Sequence, residues 1–196
     1  MGSYDRFPTV PVPGHEVLLG YGALLAALAR HVDELRAAGP SRVVVSCECY
    51  PGVREDELLD ALRDLRPDVL LATRGLFPEP AELTRRMAPF LTDDRVFGRM
   101  CFGELEDFMD ADALAAARER VASVEGLVVV CGFGATLVHP GDVLVYADVT
   151  RWEIQLRYRA GMPNYGCDNA GEDVLRKVKR GYFVEWRLAD RVKARV

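Results

Sequence analysis

The sequence predicts an α/β protein, a three-layer sandwich around a mainly parallel sheet of about five strands in a P-loop-kinase-like arrangement. Three observations predict the class. Short β-branched apolar runs at 42–46, 68–73, 127–131 and 143–146 lack a helical period, as strands buried on both faces do. Between them, apolar residues recur every three or four positions, the pattern of helices with one buried face. Strands that alternate with helices favour parallel pairing over hairpins.

The elements follow in order. Residues 1–16 carry three prolines and read as an extended arm. Apolar residues at 17, 18, 21, 24, 25, 28, 32 and 35 predict a helix over 17–38, stopped by Gly39-Pro40. Strand 42–46 leads through CECYPGV into a helix at 54–65 with Leu58, Leu59, Leu62 and Leu65 inward. Strand 68–73 comes next, and Pro80 opens a helix to 87. Residues 91–110 mix charges with Phe97, Phe102 and Phe108 and read as a loop with a short strand or helical turns. An alanine-rich helix at 111–124, strand 127–131, a glycine turn and strand 143–146 follow. The helical period then returns with Trp152, Leu156 and Arg159, and 160–173 is a Gly/Asn/Asp loop. A basic helix at 172–180, an alternating strand at 182–186 and a helix from about 188 complete the chain.

A chain of 196 residues with 49% hydrophobic content suits one domain that buries about 70% of its unfolded surface. The formal charge of -5 argues against general attraction to nucleic acid or membrane surfaces. No run approaches ~18 consecutive apolar residues, so no membrane span is expected. The first residues have neither a basic start nor an apolar core, which argues against a signal peptide. Five cysteines, an odd number with Cys131 inside an apolar run, fit a reduced cytoplasmic compartment better than secretion. Cys47-Glu48-Cys49 has metal or redox spacing, but no second C-x-C or nearby histidine completes a zinc set, so these read as ordinary buried thiols. His15, His31 and His139 stand apart and read as structural or solvated.

In an open α/β sheet, ligands bind at the carboxyl ends of the strands, which directs attention to three turns. The loop 47–54 holds Tyr50, Gly52 and Arg54 but lacks the G-K-S or G-K-T of a phosphate loop. It reads as a plain strand-to-helix turn or as a weak anion site at a helix start. Gly132 and Gly134 permit close backbone approach, as a structural turn or as a ligand loop. Asp148 reads as a metal ligand or general base, or as a helix N-cap. Arg151, Arg157 and Arg159 read as a guanidinium clamp on phosphate, or as a solvated face paired with Glu153. Arg176, Lys177, Lys179 and Arg180 form a second basic run, read as phosphate contacts or as a solvated helix end, and Trp152 and Trp186 are packing residues.

The motifs YPGV (50–53), LTDDRVFG (91–98), GFGATL (132–137), YADVTRWEIQLRYRAGMPN (146–164) and RKVKRGYFVEWRLADRVK (176–193) carry a resemblance. With them the chain resembles the kinase-like domain found ahead of the cupin domain in large bacterial class I mannose-6-phosphate isomerases. It also looks like the second half of uridine-kinase-type P-loop kinases, where an aspartate-bearing strand leads into an arginine-rich lid. The resemblance implies a kinase-like scaffold that binds a phosphorylated sugar or nucleotide and serves a cupin isomerase domain as partner. It does not carry over isomerase activity, because the clustered histidines and glutamate of a cupin are missing. One rival expectation is an active kinase using Mg2+ and ATP, with Asp148 and Arg151 catalytic. The other is a structural domain that forms a homodimer or props up a neighbour.

Overall fold

The structure, a computed structural model, describes residues 8–196; that part of the predicted arm lying in 1–7 falls outside the described residues. Residues 8–16 form neither helix nor strand and are exposed. Four strands make one parallel sheet: β1 (Arg42–Cys49), β2 (Val69–Ala72), β3 (Gly126–Gly132) and β4 (Val143–Ala147), in spatial order β2-β3-β1-β4. Among the described residues eight α-helices accompany it: α1 (Gly20–Ala37), α2 (Glu55–Leu62), α3 (Pro80–Met87), α4 (Ala111–Ser123), α5 (Ala135–Val138), α6 (Arg151–Arg159), α7 (Val174–Arg180) and α8 (Trp186–Lys193).

Alternation along the two central strands creates the layers. Val43, Val45, Cys47 and Cys49 of β1 and Leu127, Val129 and Cys131 of β3 face Leu28 and Val32 of α1 and Leu58 and Leu62 of α2. Val44, Val128 and Val130 face the opposite way, into a larger core with Leu83, Leu105, Ile154, Trp186 and Leu188. Each fully buried valine of β3 contributes about 1.5–3 kcal/mol relative to exposure. The fold is therefore a three-layer α/β sandwich.

One predicted strand is absent. Residues 182–186 lie in a π-helical turn, Gly181–Glu185, that joins α7 to α8. The apparent alternation of YFVEW is an accident of a helix with apolar residues on more than one side. Val184 and Trp186 are buried, and Glu185 is buried because Arg180 neutralises it. The stretch 91–110 is irregular, with a 3-10 turn at Leu105–Phe108. No helix of the described residues is long and apolar enough to cross a membrane.

Candidate functional site

The chain leaves β1 toward β2 and leaves β3 toward β4, in opposite directions along the sheet. The carboxyl ends of these two neighbouring strands are the topological switch point, where an α/β crevice forms. Here the backbone is shaped as an anion cradle. Gly132 and Gly134 have φ of +128° and +83°, and a side chain at Gly132 would run into Thr73 Oγ1. The cradle is already filled by the protein itself. Gly134 N–H donates to Glu48 Oε1 at 2.7 Å, and both the N–H and the hydroxyl of Thr136 donate to Glu48 Oε2 at 2.8 Å. Phe133 N–H donates to Glu55 Oε1 at 3.0 Å.

Burial raises the Glu48 pKa, against the opposing effect of those three donors. Burial also pushes the Glu55 carboxyl up to about 7, with the Phe133 N–H opposing it. Thr73 Oγ1 and Tyr165 OH are buried nearby, and burial raises the Tyr165 phenol while the Thr73 hydroxyl beside it opposes the shift. Sequence reasoning passed over both glutamates. A carboxylate inside the apolar run RVVVSCEC was the available signal, because a buried charge needs a built partner.

The residues expected to bind phosphate are distributed rather than gathered. Tyr50 is buried and its hydroxyl donates to Asp190 Oδ1 at 2.9 Å. Arg151 Nη2 donates to Asp190 Oδ2 at 2.6 Å, and its guanidinium lies 5.5 Å from the Trp186 ring centre. Asp148 is exposed and pairs with Lys193; the α6 N-cap is Thr150, whose hydroxyl accepts from Glu153 N–H at 3.2 Å. Arg157 donates to Glu153 and, at 2.8 Å, to the Gly52 carbonyl, so it ties α6 to the turn after β1. Arg54 pairs with Glu57, although it shares a shallow hollow of about 290 Å³ with Arg157. Arg159 stacks on Trp152, which is 63% exposed rather than packed. Trp186 is buried, as expected. Lys177 is enclosed, its ammonium donating to the carbonyls of Tyr158, Met162 and Ala170 at 2.8–3.1 Å, and burial lowers its pKa. The three arginines of α6 thus point to three different places: Asp190, the Gly52 carbonyl and the Trp152 ring.

A different concavity has ligand dimensions. A cleft of about 1150 Å³ lies between α3 and α7 and is closed by residues 167–172. Arg180, only 4% exposed, lines it. Its Nε donates to Glu185 Oε1 at 3.0 Å and its Nη1 to Thr84 Oγ1 at 3.2 Å, while Nη2 is buried without a partner among the described residues. Glu185 is fixed in turn by Asn164 Nδ2 at 2.9 Å. Lys179 donates to the carbonyls of Leu91, Thr92 and Asp94, which holds the loop after α3 against the cleft. Exposed Arg176, Asp168 and Glu172 form the rim, with Asn169 Nδ2 donating to Glu172 at 2.8 Å. Of the predicted basic run, Arg176, Lys179 and Arg180 line this cleft and Lys177 does not; none of the other predicted site residues is in its lining.

No curated protein and no solved structure shows a significant match to the chain. A family model does match, over residues 20–196, and the chain belongs to that family, described as Domain of unknown function (DUF8485).

Proposed function

We propose that the chain is a binding domain for a small phosphorylated, hydroxyl-rich compound such as a sugar phosphate, held in the cleft between α3 and α7, and that it is not a phosphotransferase of the P-loop kind. One observation carries this reading: Arg180 is buried in the lining with one guanidinium nitrogen unpartnered among the described residues. A buried donor left unpaired costs about 1–3 kcal/mol, and an anion in the cleft would recover it once a small movement of the wall uncovers that nitrogen. Arg176 adds a second guanidinium at the rim, while Glu79, Asp93, Asp168 and Glu172 supply acceptors for hydroxyls. A compound with a phosphate at one end and hydroxyls along its length matches that distribution better than inorganic phosphate does.

The kinase alternative draws no comparable support. A nucleotide phosphate at the switch point would have to displace Glu48 from Gly134 and Thr136, and bring its charge beside that carboxylate. The resemblance to the domain preceding cupin isomerases favours a phosphosugar as ligand and a cupin isomerase as partner. Calorimetry with hexose 6-phosphates, nucleoside phosphates and inorganic phosphate tests the reading. Saturable binding of a sugar phosphate is expected, and Arg176→Ala should weaken it about tenfold. As an exposed residue, Arg176 should leave folding stability within about 0.5 kcal/mol. Silence across the panel, or binding indifferent to Arg176, would remove the proposal.

A further inference from the structure

The face of the sheet that meets α1 and α2 holds a cluster that the cleft does not use. Residues 47 and 49 lie two apart on β1 and so project from the same side. The β1–β3 register sets Cys131 directly beside Cys47. The three Sγ atoms lie within 4.8 Å of one another, and all three residues are no more than 1% exposed. The third thiol comes from a distant part of the sequence, which is why the C-x-C pair alone looked incomplete.

We infer that Cys47, Cys49 and Cys131 form a three-thiolate site for a soft divalent cation of the zinc class. A zinc–thiolate bond is about 2.3 Å, so sulfurs around a tetrahedral ion stand about 3.8 Å apart, a separation that small side-chain rotations of this cluster can reach. Sulfur donors select soft ions and exclude magnesium and calcium, which take oxygen. The surroundings decide the ion's charge. The packed neighbours include Val45, Val129, Leu58 and Leu62, and the charged side chains that act on the cluster, Glu48 and Glu55, are acids, so none of them supplies a positive countercharge. Three thiolates around a divalent ion leave one net negative charge in this apolar layer, whereas a monovalent ion would leave two. On binding, the metal–sulfur bonds replace S–H bonds and the displaced protons pass to solvent. The two remaining cysteines, Cys101 and Cys167, are buried elsewhere and serve as internal controls.

The test is titration of the reduced, metal-free full chain with Cd2+, followed by thiolate-to-metal absorption in the ultraviolet, and with Zn2+ against a chromophoric chelator. One equivalent should bind, with a rise in Tm. Serine at Cys47, Cys49 or Cys131 should weaken zinc by more than about 100-fold, and the Cys101→Ser/Cys167→Ser double variant should bind as wild type. X-ray absorption of the zinc-loaded wild-type chain needs no variant and should show three sulfur neighbours. Substoichiometric binding, a first shell of nitrogen and oxygen, or binding that survives loss of all three thiols would overturn the site. The cluster would then be three small apolar side chains of a core.

Discussion

Glu48 and Arg180 are buried charged groups in opposite situations, and the proposed ligand site rests on the difference. Glu48 is a buried carboxylate whose oxygens receive three donors from the turn after β3. Arg180 is a buried guanidinium with a nitrogen still unpaired among the described residues. The first is a satisfied group that holds a turn; the second has bonding capacity left over. Glu48→Ala should therefore destabilise the fold by about 2–4 kcal/mol in urea unfolding, since the freed N–H groups remain enclosed. The same variant should gain stability from added sulfate, because an anion can then occupy the vacated amides, and wild type should show less of this gain. Equal sulfate dependence in the two proteins would mean that Glu48 does not guard the turn. The sequence displayed both residues, but it could not reveal their partners. Glu48 meets donors 86 and 88 positions away, and no spacing rule reaches so far.

Among the elements, the packing of α6 on the β1–α2 turn is the contact with the least tolerance. Gly52 has φ of +103°, and a β-carbon there would stand 2.7 Å from Ile154 Cγ1. Gly52→Ala combines backbone strain with overpacking and should cost about 2–3 kcal/mol, read from the urea midpoint at unchanged m. A cost under about 0.5 kcal/mol would show that α6 moves aside freely. This glycine read as a plain strand-to-helix turn or as a weak anion site because it follows a buried strand and precedes a helix. Its place in the fold is the close approach of α6, with Arg157 tied to its carbonyl. Strands 42–46, 127–131 and 143–146 were legible because an uninterrupted β-branched run has few other uses. Residues 182–186 were misread because a short apolar run bounded by a glycine has the same local pattern in a strand and in a buried helical turn. The boundary of α6 was read to within a few residues, but Asp148 was credited with a cap that Thr150 supplies. Both are plausible caps two residues apart, and only coordinates choose between them.

At the scale of the whole molecule, buried acids tie stability to pH. Glu55 keeps its proton in the folded state up to about 7, against an ordinary carboxylate value of 4.5. Between those values the folded chain binds more protons than the unfolded chain, so stability falls as pH rises through that window. Glu48 is shifted in the same direction and adds to the trend. Thermal unfolding should show a lower Tm at pH 7.5 than at pH 5.5, and Glu55→Gln should flatten the profile. A wild-type Tm that climbs across this range would contradict the burial of these acids. The three-layer architecture was visible from the order of strand and helix patterns. The cleft was not, because it is assembled from α3, α7 and a loop that the sequence separates by about 80 residues, and nothing in the motifs 91–98 and 176–193 that contribute to its lining says that they meet.

The account turns on where an anion goes: into the cleft beside Arg180 rather than onto the glycine turn after β3. The most direct measurement is titration of the isotopically labelled full chain with a hexose 6-phosphate, followed by amide NMR. The largest shifts are predicted at Thr84, Asp168, Asn169, Arg176 and Arg180, with Gly132, Gly134 and Thr136 unmoved. Shifts centred on the 132–136 turn, or none at saturating ligand, would contradict it.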